Sequence, residues 1–169
     1  VDAAKIVRQQ NTNIHFEIIG SGSYKETLVQ RIETEKIENI SVHPLQPASR
    51  LSEIYSIGDL ELVAIEPGLS KMALPSKTFV IMTAGSPILS LVDQTSDIAH
   101  IIKTHQLGYT LEHGDSVMLA DTILKAYEDQ SNLKQMGLNA RKFAEENTSR
   151  KMQTEKYYAE LCALAGEGL

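Results

Sequence analysis

The sequence of 169 residues has one cysteine, no tryptophan and no excess of basic residues. A lone Cys162 can neither close an internal disulfide nor build a multi-thiolate zinc site, which fits a reducing compartment and predicts a cytoplasmic protein. Lys plus Arg number 16 against 22 Asp plus Glu, for a formal charge of −6. Sequence-independent binding to nucleic acid, which needs a basic surface, is therefore disfavoured. No apolar run reaches the roughly 18 residues that cross a bilayer. The opening VDAAKIVRQQ has neither the basic start nor the apolar centre of a signal peptide. There is no internal repeat and no linker rich in Pro, Gly or Ser, so the whole chain, 1–169, reads as one domain of ordinary size.

What is present is enough apolar material for a core. Hydrophobic residues make up 42% of the chain, and a chain this long buries roughly 70% of the surface its unfolded form exposes. Short runs rich in Ile, Val and Leu alternate with longer segments of helical period, the pattern of a parallel sheet covered by helices. The spacing predicts strands at Ile14–Ile19, Ile40–His43, Leu60–Ile65, Pro87–Ser90 and Gly108–Leu111. Helices are predicted over Ala3–Gln10, Tyr24–Glu35, Ser49–Ser56, Lys77–Ala84 and Asp97–His105, then over Ser116–Asp129, Asn132–Glu145 and Arg150–Ala165. The last helix places Met152, Tyr157, Leu161 and Leu164 on an apolar face, which implies a docking partner outside the chain. The chain also opens on Val1 inside a helical stretch with no strand before it, as a piece of a longer protein would.

Ligands of open parallel sheets bind beyond the carboxyl ends of the strands, where helix N-termini offer free amides and partial positive charge. After the first predicted strand comes Gly20-Ser21-Gly22-Ser23-Tyr24-Lys25-Glu26. Its glycines allow a sharp turn and close approach of a ligand, Ser23 and Glu26 fit a capping box, and Lys25 falls in the first helical turn. After the third comes a long loop, Glu66 to Lys77, in which Ser76 is placed to cap the next helix and Lys77 to begin it. A lysine there opposes the helix dipole unless an anion uses it. Two such ends on one sheet suit a ligand with two linked phosphates, while a tight turn with solvated lysines is the alternative reading of either loop alone.

Other chemistries find no support. A dinucleotide fingerprint wants a third glycine where Lys25 stands and an acidic residue near positions 40–43, where Ile40, Ser41, Val42 and His43 stand instead. The P-loop and nucleophile-elbow patterns are absent. His100 and His105 have the wrong spacing to share a metal, and they, His15 and His113 read as structural or surface residues, with Cys162 a small hydrophobe.

Taken in order, FEIIGSGSYKETL, ENISVHPLQPASRLSEIYSIGDLELVAI, LPSKTFVIMTAGSPIL, LGYTLEHGDSVMLADTILKAYED and MGLNARKFAEENTSR resemble the C-terminal half of a bacterial GT-B glycosyltransferase of the retaining group 1 type. The likeness covers nearly the whole chain and is nearest to enzymes that use nucleotide-activated sugars, often aminosugars, for capsule, O-antigen or exopolysaccharide. It implies a Rossmann-like α/β domain, one half of the GT-B fold, that binds a nucleotide-sugar donor, with UDP as the expected nucleotide. The acceptor, a glycan or lipid-linked sugar, would be held by an N-terminal domain outside this chain, as would any general base. The family's first strand of this domain would also lie before Val1.

Carried over residue by residue, Gly20, Ser21, Gly22 and Lys25 match the loop facing the donor diphosphate, and Pro75, Ser76 and Lys77 match the second helix end beside it. Pro44 and Leu45 match the turn that meets the base, with an ordinary turn as the alternative, and Glu66 lies where the loop approaches the donor sugar. Two glutamates of the family pattern, the second of which holds the ribose, are replaced by Met72 and Val80. No metal cofactor is expected, because helix ends and lysines can carry the charge of the leaving diphosphate. The resemblance further implies a hexosyl or aminosugar transferase at the inner face of a membrane, with this chain alone inactive. Two other classes stay open: a non-catalytic nucleotide-binding module, suggested by Met72 and Val80, and a nucleotide-sugar epimerase, for which His43 is the one histidine near the cleft.

Overall fold

The computed structural model describes residues 1–71 and 74–166, so Met72 lies outside the described residues. The chain alternates strands and helices: α1 (Asp2–Gln10), β1 (Phe16–Ile19), α2 (Lys25–Thr34), β2 (Ile40–His43), a 3-10 turn leading into α3 (Leu51–Ile57), and β3 (Glu61–Ala64). A second 3-10 turn, Leu69–Lys71, precedes α4 (Ser76–Ala84), β4 (Ile88–Leu91), α5 (Asp97–Thr104), β5 (Gly108–Leu111), α6 (Ser116–Glu128), α7 (Gln130–Asn147) and α8 (Arg150–Ala165). Short β-rich runs became strands because each is flanked by polar or turn-forming residues, and every predicted strand and helix is present to within a few residues.

All strand pairs are parallel. Among the described residues they form two sheets, β1-β2 and β3-β4-β5. The chain turns back through α3, and β3 takes β4 as its neighbour instead of β1. Phe16 and Gly20 donate to the β2 side, so by strand alternation the amides of Glu17 and Ile19 face an edge unpaired among the described residues. Glu61 and Ile65 likewise donate toward β4, leaving Leu62 and Ala64 on the open edge of β3.

The main core lies around β4, whose Ile88 is buried among Ile81, Met82, Val92, Ile98, Ile102 and Leu107, while the neighbouring Leu89 is also buried. Helix α7 adds Ala140 and Ala144 to this core. It can approach α4 closely because Gly137 faces Gly85, where a Cβ would stand 2.4 Å from the Gly85 carbonyl oxygen. Gly85 itself ends α4 in the left-handed region, φ 78°. A smaller cluster joins Ala3 and Val7 of α1 to Ala120 of α6, with Ile14 and Phe16 against them. Helix α6 also touches β5 and α7, and so links the two sheets.

Helices α5 to α8 each begin with a side-chain cap: Ser96, Asp115, Asp129 and Ser149 accept from the amides of Ala99, Met118, Asn132 and Met152. In α8, Tyr157, Leu161 and Leu164 remain exposed while Cys162 is buried. Among the described residues no helix is long and apolar enough to cross a membrane.

Candidate functional site

The carboxyl end of β1 continues into Gly20, whose amide donates to the carbonyl of His43 at 3.2 Å. The following loop, Ser21 to Tyr24, is exposed. Neither Gly20 nor Gly22 has a left-handed φ, and a Cβ on either would meet nothing within 4 Å. The turn itself therefore does not demand glycine; what the two residues leave is open space over the backbone. The predicted capping box does not form. Helix α2 starts at Lys25, with Tyr24 at its N-cap and no side-chain cap, because Tyr24 at φ −91°, ψ 0° takes the boundary position and moves Ser23 one residue too far out.

Lys25 is half-buried, and its Nζ donates to the carbonyls of Gly20 and His43, both at 3.3 Å. One ammonium thus spans the ends of both strands of the first sheet. Pro44 and Leu45, both exposed, follow His43 directly, so the structure brings Gly20, Lys25, Pro44 and Leu45 to one sheet end.

The second group belongs to β3. Glu66 is exposed, and its carbonyl accepts from Leu69 N at 3.0 Å, closing a turn in which Gly68 has φ 85°. Asp93, beyond the end of β4, holds this turn. Its Oδ2 accepts from Gly68 N at 2.9 Å and from Ser70 Oγ at 2.5 Å, and its own amide donates back to Ser70 Oγ at 3.0 Å. Sequence reasoning missed Gly68, Ser70 and Asp93 as a unit; a partner more than twenty positions away leaves no local signal, and only the left-handed glycine could have drawn attention to the turn.

Helix α4 also starts without a side-chain cap. Ser76 was expected to cap it, but Pro75, extended at φ −69° and ψ 123°, occupies the N-cap and makes Ser76 the first helical residue. Lys77 lies on the exposed first turn, with Nζ 3.4 Å from the carbonyl oxygen of Leu62 on the open edge of β3. That distance is at the long end of a hydrogen bond, so the ammonium is held weakly. Burial pushes the Glu61 carboxyl above its ordinary value, and the Lys77 charge pulls it part of the way back. Val80, one turn along α4 from Lys77, is 40% exposed.

The candidates thus fall into two groups, one at the carboxyl end of each sheet, each with an uncapped helix and a lysine in its first turn. Such amides and cations can hold an anion by hydrogen bonds and by the helix dipole together. Of the histidines, His43 pairs through Nε2 with Glu17 Oε2 at 2.5 Å, and His15 Nε2 shares a hydrogen bond with Ser41 Oγ at 2.8 Å, on the face of the first sheet. His105 lies against Phe143, with ring centroids 4.6 Å apart.

Comparison with known proteins identifies the family and the fold. The family profile described as "Glycosyl transferases group 1" matches residues 1–143. A curated relative, "Probable glycosyltransferase WbjE" of Pseudomonas aeruginosa, is 25% identical over 150 residues, covering 89% of this chain and 37% of the relative. Among solved structures, HepE of Anabaena in complex with UDP-glucose superposes with a TM-score of 0.77 at 15% identity, covering 96% of this chain and 44% of that one. A TarM variant of S. aureus in complex with fondaparinux, alpha-GlcNAc-glycerol and UDP gives a TM-score of 0.75 at 21% identity, covering 93% and 31%. The chain therefore spans less than half the length of each of these proteins.

Proposed function

The chain belongs to the group 1 glycosyl transferases, and from that premise we propose that it is the donor-binding half of a longer enzyme that moves a sugar from a nucleoside diphosphate, UDP by our reading, to a glycan or lipid-linked acceptor. The observation that carries the proposal is the pair of uncapped helix starts, α2 and α4, each with a lysine in its first turn and each following a parallel strand. A cation in that position is unfavourable for a bare helix and favourable once a diphosphate joins it. Solved relatives whose structures hold UDP or UDP-glucose lend further support.

In this reading the open backbone at Gly20, Ser21 and Gly22 faces one phosphate, and Pro75, Ser76 and Lys77 face the other. Lys25 and Lys77 leave their long bonds to main-chain carbonyls for the anion. Pro44 and Leu45 border the base, and Glu66 reaches the sugar. The leaving diphosphate gains negative charge as the glycosidic bond breaks, and donors already aimed at it lower the barrier without reorganising. The lysines and helix ends offset that charge without a metal cofactor. The acceptor and any general base belong to the rest of the protein, so this chain alone binds donor without turning it over. We further assign the enzyme to the cytoplasm, at the inner face of the membrane, in surface polysaccharide synthesis with a hexose or aminosugar donor, and with retention at the anomeric carbon.

Titration calorimetry with UDP, GDP, uridine and NAD is the test: the expected order puts UDP first, while tight NAD binding with no response to UDP overturns the proposal. A second reading, nucleotide-sugar epimerase, draws on the carboxylate–imidazole pair of Glu17 and His43. Product analysis with labelled donor and the full-length protein separates them, since an epimerase converts donor with no acceptor present.

A further inference from the structure

We propose that Asp93 is a positioning residue for the donor sugar: it fixes the turn from which Glu66 meets the sugar hydroxyls. The inference rests on the reading of the chain as a donor-binding domain, and adds to it a residue with no place in the sequence pattern. Glu66, Pro67, Gly68 and Leu69 are all exposed, so apolar packing does not set their conformation. Ser70, by contrast, is 2% exposed. The turn is instead pinned by polar contacts to one side chain: Asp93 Oδ2 takes the Gly68 amide and the Ser70 hydroxyl, and the Asp93 amide returns a bond to Ser70 Oγ. Hydrogen bonds to a carboxylate are shorter and stronger than neutral ones, which suits a clamp on an otherwise solvated loop.

Asp93 is itself anchored. Its carbonyl accepts from the Ser96 amide at 2.9 Å and from Ser96 Oγ at 2.6 Å, and Ser96 is the buried N-cap of α5. On the other side, Ile65 N donates to Leu91 O at 3.2 Å, so the residue before Glu66 is still tied to the sheet. A continuous path of hydrogen bonds thus runs from the start of α5, through Asp93, to the two residues that flank the tip of the turn. Loosening it frees Glu66 while leaving the nucleotide contacts at Lys25 and Lys77 in place. Small misplacements of a contacting group are costly when its partner is a directional hydroxyl.

The test compares UDP with two UDP-sugars, UDP-glucose and UDP-N-acetylglucosamine, by titration calorimetry on the parent, Asp93→Ala, Asp93→Asn and Ser70→Ala, with thermal unfolding of each. In the parent at least one UDP-sugar binds more tightly than UDP. Asp93→Ala leaves UDP affinity within about twofold and weakens that UDP-sugar by about tenfold, the scale of a lost charge-assisted hydrogen bond. Asp93→Asn, which keeps an acceptor oxygen, restores most of the difference. Ser70→Ala deletes two of the clamp's three bonds, leaving the one from the Gly68 amide, and gives the same split on a similar scale, which decides the matter if Asp93→Ala does not fold. Equal losses for UDP and UDP-sugar, or a parent in which no sugar adds affinity to UDP, overturn the positioning role. A parent that binds none of the three ligands overturns the donor-binding reading itself.

Discussion

The later helices, α5 to α8, begin with a Ser or Asp side chain bonded to a first-turn amide, whereas α2 and α4 begin with none and carry a lysine there. The two sets differ in what their ends must do. A helix end that only has to be stable satisfies its own amides, typically gaining about 1 kcal/mol from the cap. A helix end whose amides are to receive an anion forgoes the cap and accepts an unfavourable cation. Helices α1 and α3 also begin without a side-chain cap, so what sets α2 and α4 apart is an uncapped start joined to a lysine at one of the first two helical positions.

Lys77→Ala probes this contrast with the largest expected effect. If the α4 end is a phosphate site, the variant loses about 1 to 3 kcal/mol of UDP affinity and far less of uridine affinity, and the loss shrinks at high salt. Equal UDP affinity in variant and parent breaks the contrast. Asp115→Ala examines the other side: removing the cap of α6 lowers stability by about 1 kcal/mol in denaturant unfolding and leaves UDP binding unchanged. A change in UDP affinity there would mean that the capped ends also serve ligand. Val80→Glu sharpens the α4 side by restoring a carboxylate for the ribose, and about 1 kcal/mol of tighter UDP binding is expected in calorimetry; no change places the ribose elsewhere.

The smallest effect is one of pH. The folded Glu61 carboxyl sits above its ordinary value because of burial, so its charged form opposes folding. That penalty is present above the raised value and disappears as pH falls toward the ordinary carboxylate range. Against Glu61→Gln, the parent should gain relative thermal stability as pH is lowered from neutral, and Lys77→Ala should enlarge the trend by removing the cation that offsets it. A parallel pair of curves would contradict the burial.

The strands were legible because each is a short apolar run with polar neighbours; Ile40–His43 and Gly108–Leu111 agree at both ends with the sequence expectation. Which strands pair was not, since strand partners are set by distant residues. The caps failed by one residue each: Ser23 and Ser76 are the right kinds of residue, but Tyr24 and Pro75 take the boundary position. Both lysines were found where expected on their helices, yet their bonds to the Gly20, His43 and Leu62 carbonyls depend on where the strands end in space. The Asp93 clamp was invisible for the same reason.

The link between the two sheets has a mechanical consequence. Among the described residues the joint between the sheets is helix α6, resting on α1 through Ala3, Val7 and Ala120 and on the second sheet through β5. Lys25 stands on one side of this seam and Lys77 on the other. A diphosphate held by both, as the proposed function has it, would join these two ends, and amide hydrogen exchange along β1, β3 and α6 would slow together when it binds.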